Sequence, residues 1–182
     1  LYFTCNTGFN NKASIYFGHL NISPLGLSDS DLQTKIITND SIEFCMPTTC
    51  YAGVSSSDDH GSFIFFNYGG INTLPGTGAI YIDETGEVSP LLICSESEVA
   101  APGGRWGDYT DVAYQSPGIA RGVGYHYLPN DQEATFTSLI GISVTTGNVE
   151  PSKAINSPLN IFPNPSLGRI NFVFDVPSTG MY

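Results

Sequence analysis

Gly103-Gly104-Arg105-Trp106-Gly107-Asp108-Tyr109 holds the only tryptophan of the chain and one of its three arginines. Its glycines open backbone conformations closed to other residue types, so a large indole and a planar guanidinium can fold back on the turn that carries them. The stretch reads as a corner: strand-like segments lead into it, and a further strand group leaves it.

Working outward, residues 1–5 and 13–17 are short strand candidates separated by Asn6-Thr7-Gly8 and Asn10-Asn11, residues that tolerate positive φ, and a hairpin is expected. Residues 32–38 alternate, and a fourth strand is expected to begin near Tyr51-Ala52-Gly53-Val54. The order then repeats with residues 62–68, a Gly- and Pro-rich turn, residues 79–83, the turn Glu84-Thr85-Gly86 and residues 88–94. Beyond the corner it begins again with residues 110–114, 122–127 and 135–144.

Short signatures recur at a spacing of about sixty residues. Tyr51-x-x-Val54 returns as Tyr109-x-x-Val112, and Phe66-Asn67-Tyr68 as Tyr125-His126-Tyr127. Thr85-Gly86-Glu87-Val88 returns as Thr146-Gly147-Asn148-Val149, and Ser14-Ile15-Tyr16 as Ala79-Ile80-Tyr81. A unit of that length holding about four antiparallel strands is what a propeller blade needs, because radial stacking covers each blade with its neighbours. A β-sandwich is the competing architecture. The expectation is an all-β chain whose residues 1–150 form a partial β-propeller of two to three antiparallel blades. A closed propeller takes about four blades or more, so the others are expected upstream of Leu1.

Composition narrows the function. With 182 residues and 41% apolar content the chain can bury a real core. Six Lys and Arg against 17 Asp and Glu give a formal charge of −11, which repels phosphate backbones and anionic lipid surfaces; nucleic acid is not an expected partner. No apolar run is long enough to span a bilayer. The chain opens on Leu1 in a strand-like segment, as a piece of a longer precursor would. Among four cysteines, Cys45 and Cys50 in Cys-Met-Pro-Thr-Thr-Cys are a disulfide candidate, while Cys5 and Cys94 read as buried in strands. Zinc-ligand spacing is missing.

Two resemblances follow from particular residues. Gly104-Arg105-Trp106-Gly107-Asp108-Tyr109 and Ala134-Thr135-Phe136-Thr137-Ser138-Leu139-Ile140, with aromatic strands around them, resemble the C-terminal blades of large secreted Bacteroidota proteins with sialidase-like, BNR-type propellers. Ser57-Asp58-Asp59-His60-Gly61-Ser62-Phe63 is similar to the Asp-box of that group, Ser-x-Asp-x-Gly-x-Thr-Trp, and departs from it in placing Ser62-Phe63 directly after the glycine. Residues 151–157 read as a linker. Residues 158–182 resemble the start of the type A C-terminal sorting domain of the type IX secretion system, a small β-sandwich. The matching residues are the apolar Ile161-Phe162, the turn Pro163-Asn164-Pro165, Gly168, and the alternating Ile170, Phe172, Phe174 and Val176; the chain ends at Tyr182 after about two strands of it. That resemblance implies the secretion machinery as partner and a secreted or outer-membrane-attached, extracellular location.

Arg105, Trp106, Asp108 and Tyr109 are the candidate ligand site, with aromatic faces for a sugar ring and an ion pair for its hydroxyls. The competing reading has Arg105 stacking on a ring and pairing with Asp108 to lock the turn. Asp58, Asp59, Asp83 and Glu84 offer oxygens for calcium, although turn aspartates commonly bond their own backbone; no other cofactor is expected. His19, His60 and His126 fall in separate repeats without metal or triad spacing. A sialidase needs clustered arginines, and residues 1–150 hold only Arg105 and Arg121, so no catalytic constellation is visible. The expected function is a secreted, non-catalytic propeller for glycan or protein recognition or adhesion at the cell surface. The alternatives are the C-terminal part of a secreted sialidase-like glycoside hydrolase and a structural spacer.

Overall fold

Aromatic and β-branched residues at period two favour extended backbone, and in the computed structural model every regular element is a strand. The structure describes residues 1–20, 32–53, 61–101, 109–129 and 132–142. Ten strands follow in order: β1 (Tyr2–Phe9), β2 (Lys12–Leu20), β3 (Leu32–Ile37), β4 (Glu43–Tyr51), β5 (Ser62–Gly70), β6 (Thr73–Ile82), β7 (Leu92–Glu96), β8 (Asp111–Ser116), β9 (Ile119–Leu128) and β10 (Gln132–Gly141). They make three antiparallel sheets, β1-β2-β3, β4-β5-β6-β7 and β8-β9-β10, each a meander of sequence neighbours. The chain is all-β, as its composition implies. No helix of the described residues is long and apolar enough to cross a membrane. The chain divides after Glu150, and all described residues belong to the first unit.

Local chemistry sets the turns. Asn10 and Asn11 take φ of 51° and 60°, the pair of left-handed residues that a two-residue hairpin requires, and β1 pairs with β2 from Tyr2↔His19 to Phe9↔Lys12. The expected hairpin is present, with strands that run on through Asn6-Thr7-Gly8. At the β6–β7 side, Asp83 Oδ1 accepts from the Thr85 and Glu87 amides at 2.9 and 2.8 Å, and Gly86 supplies a φ of 83°.

The core is organised around β5. Ser62 to Tyr68 are buried without a break, and alternation sends the side chains to two faces. Ile64, Phe66 and Tyr68 pack with Ile15, Phe17, Ile37, Phe44, Ile80 and Ile82, under the β1–β3 sheet. Phe63 and Phe65 pack with Ala52, Ala79, Val112, Ala120 and Ile140, under the β8–β10 sheet. The middle sheet is thus covered on both faces, a three-layer stack in place of the two layers of a sandwich. Close approach on the second side depends on Gly122, where a Cβ would lie 2.4 Å from the Phe65 ring.

Four sequence expectations need correction. The fourth strand ends at Tyr51, where it was expected to begin, because the run Glu43–Tyr51 pairs with β5 despite Pro47. The Gly- and Pro-rich turn is mostly β6: its glycines leave room for the Tyr68 ring, since a Cβ on Gly76 would meet it at 2.3 Å, and Pro75 falls where the register shifts between Tyr68 and Gly70. Cys45 and Cys50 are free thiols in β4. Extended chain at roughly 3.3 Å per residue holds their Cα atoms beyond the disulfide limit of about 7 Å, so the expected bridge is not formed. Cys5, expected to be buried, is exposed.

Candidate recognition surface

The first strand of the middle sheet, β4, packs against β1 of one neighbouring sheet and β8 of the other. Thr4 Oγ1 of β1 donates to the Pro47 carbonyl at 3.2 Å, and the Met46 amide of β4 donates to Asn6 Oδ1 at 2.9 Å. Thr110, just ahead of β8, donates its hydroxyl to the Met46 carbonyl. Met46 sits in the register shift between Cys45 and Thr48 with φ of 50°, a strained conformation for a non-glycine residue that these bonds hold in place.

The order of these contacts gives strand direction. Along β1 the sequence Tyr2, Thr4, Asn6 meets Tyr51, Pro47, Met46, so β1 and β4 run in opposite senses. From Thr110 to Tyr114 the partners are Met46 and then Tyr51, so β4 and β8 run in the same sense. Four alternating strands lie between the start of β4 and the start of β8, and an even number restores the direction.

A row of rings crosses this junction. His19 stacks on Tyr2 at 4.8 Å between centroids, Tyr2 on Tyr51 at 6.5 Å, and Tyr51 on Tyr114 at 6.0 Å. Tyr51 lies over Gly53, where a Cβ would come within 2.0 Å of its ring. Sequence reasoning missed this row. It paired Tyr51 with Tyr109, whereas Tyr51 ends a first strand and Tyr109 precedes one; Tyr114 is the residue that meets Tyr51. A tyrosine near the end of each of two first strands was the available signal.

Of the corner residues, Arg105, Trp106 and Asp108 lie outside the described residues, and Tyr109 is 83% exposed. The sorting residues Pro163, Asn164, Pro165 and Gly168, the tail's alternating strand, and Asp58, Asp59 and His60 also lie outside them. Asp83 commits Oδ1 to its own turn, and the Thr85 hydroxyl bond, with the turn amides, holds its carboxyl below the usual carboxylate range. Among the described residues no three His, Cys, Asp or Glu side chains gather as metal ligands.

His126 Nδ1 lies 2.7 Å from Ser95 Oγ, bridging β7 and β9. Beside it the Tyr127 amide donates to Ser97 Oγ at 3.0 Å and the Glu98 amide to the Tyr127 carbonyl at 2.9 Å, so the pair belongs to a seam that ties the middle and third sheets. A cleft of about 570 Å³ beside the β5–β6 turn has Glu43 in its lining, and that carboxylate accepts from the Ala13 amide at 3.1 Å. Burial pushes the Cys45, Cys50 and Cys94 thiols up to about 11, with Glu43 adding to the first and Asp111 to the second, so none is an activated nucleophile.

The chain matches no protein-family model, no curated protein and no solved structure. The ring row and the exposed Tyr109 therefore stand on the chain's own geometry.

Proposed function

We propose that this chain is part of a secreted, non-catalytic β-propeller that recognises glycans or proteins at the cell surface, carried out of the cell by type IX export through residues 158–182. Three arrangements support the propeller. The middle sheet is covered on both faces; β4 and β8 pack in parallel, as first strands of successive four-stranded blades do; and Phe66-Asn67-Tyr68 and Tyr125-His126-Tyr127 both lie in second strands of their sheets. Ser14-Ile15-Tyr16 and Ala79-Ile80-Tyr81 fit the same scheme if β1 takes the second place in its blade, which its direction opposite to β4 also requires.

The observation that carries recognition is Tyr109. A ring 83% exposed contributes little packing, so the lock reading gives it no duty, while a ligand face does. The test compares the 182-residue chain with Tyr109→Ala and with the double variant Arg105→Ala/Trp106→Ala on a glycan array and in adhesion to cell surfaces. Binding lost at an unchanged melting temperature is the expected result. Binding that survives both variants, or turnover of fluorogenic glycosides, would overturn the reading.

A further inference from the structure

The ring row is offset-stacked and partly open to solvent. Rings in full face contact approach to about 3.5–4.0 Å between carbons. Centroids 6.5 and 6.0 Å apart at interplanar angles of 26° and 27° therefore place each tyrosine well to the side of the next, overlapping like tiles. Tyr51 and Tyr114 are 41% and 47% exposed, while Tyr2 is half-buried, packed against the first core and stacked on His19. The platform is also pre-set, because Tyr51 rests on the Gly53 backbone and is flanked by rings on both sides, so little side-chain freedom remains to be lost on binding.

We infer that the Tyr2–Tyr51–Tyr114 ridge is a binding platform for a neutral oligosaccharide, with successive pyranose rings laying their C–H faces on successive tyrosines. It deepens the recognition reading and assigns it a site separate from the Tyr109 corner. Charge selects the neutral class. The chain carries −11, and its described lysines and arginine are already engaged: Lys12 donates to the Asp40 carbonyl, Lys35 to the Gly86 carbonyl, and Arg121 to Gln115. A sulfated or carboxylated glycan would meet the repulsion of that net charge.

The test titrates the full chain with neutral hexasaccharides of β-1,4-linked glucose, xylose, mannose and N-acetylglucosamine, with a heparin hexasaccharide, and with hexa-arginine. At least one neutral sugar should bind. Tyr51→Ala and Tyr114→Ala should each weaken it about tenfold, whereas Tyr114→Phe, which keeps the ring, should bind nearly as well. Saturation-transfer NMR on the unaltered protein, irradiating tyrosine ring protons, should reach the sugar C–H protons, and this readout survives even if an alanine variant fails to fold. Absence of neutral-sugar binding, binding indifferent to both alanine variants, transfer that never reaches the sugar, or a ridge-dependent preference for heparin or hexa-arginine would each overturn the proposal. A glycan lost in Tyr109→Ala but kept in Tyr51→Ala and Tyr114→Ala would remove the ridge while leaving the recognition reading intact.

Discussion

Tyr68 is nearly fully buried, and its hydroxyl has no hydrogen-bond partner among the described residues. Burial, with Glu96 and Cys94 adding, pushes its ionisation up to about 12. An unpaired buried hydroxyl costs on the order of 1–3 kcal/mol, so Tyr68→Phe should raise the melting temperature; a drop would reveal a partner. Met46 presents the opposite case. Its left-handed backbone persists because Asn6 takes its amide and Thr110 reaches its carbonyl. Asn6→Ala should therefore cost about 1 kcal/mol, measured as a lower urea midpoint, and Met46→Gly in the same background should recover part of it by relieving the φ of 50°.

Within the elements, β5 and β9 show how side-chain volume sets sheet spacing. Phe65 fills the space above Gly122, and a methyl there would sit 2.4 Å from its ring. Gly122→Ala alone should destabilise by about 1–3 kcal/mol; Phe65→Ala alone should cost about 3–5 kcal/mol; the double variant should lose less than the two together, because each relieves the other. Additive losses in a denaturant cycle would mean the two do not share that space. Much of this was legible in the chain. Residues 62–68 were legible as a strand, though not its burial on both faces, and Asn10-Asn11 announced its hairpin. What was hidden depends on pairing. Residues 69–78 look like a turn until Tyr68 needs the glycines beneath it, and Cys45 and Cys50 look like a small loop until β5 pairs with the run between them. The tyrosine ridge needs the register of three separate sheets, and no linear spacing encodes that.

For the whole molecule, alternating strand direction, sheets stacked three deep and half-buried thiols near the interfaces combine in one pH response. Cys50 and Cys94 pack beside the second core, and Cys45 lies in the same middle sheet. Their ionisation moves from the ordinary 9.0 to about 11 chiefly because burial disfavours the thiolate. The sign follows from linkage: below pH 9 the thiols are protonated in both folded and unfolded chains, and their contribution is fully present. Above pH 9 the unfolded chain releases those protons while the folded chain retains them, so stability falls through pH 11, and Tyr68 extends the fall towards 12. The urea midpoint should accordingly be flat from pH 7 to 8 and decline steadily from pH 9 upward, with Cys50→Ala and Cys94→Ala each flattening the decline. Iodoacetamide at pH 8 gives an independent readout: exposed Cys5 should alkylate first and the other three slowly, since the thiolate is the nucleophile. A midpoint unchanged through pH 11, or equal labelling of all four cysteines in the folded chain, would mean that the sheets do not shield these thiols and that the stack is looser than its buried strands imply.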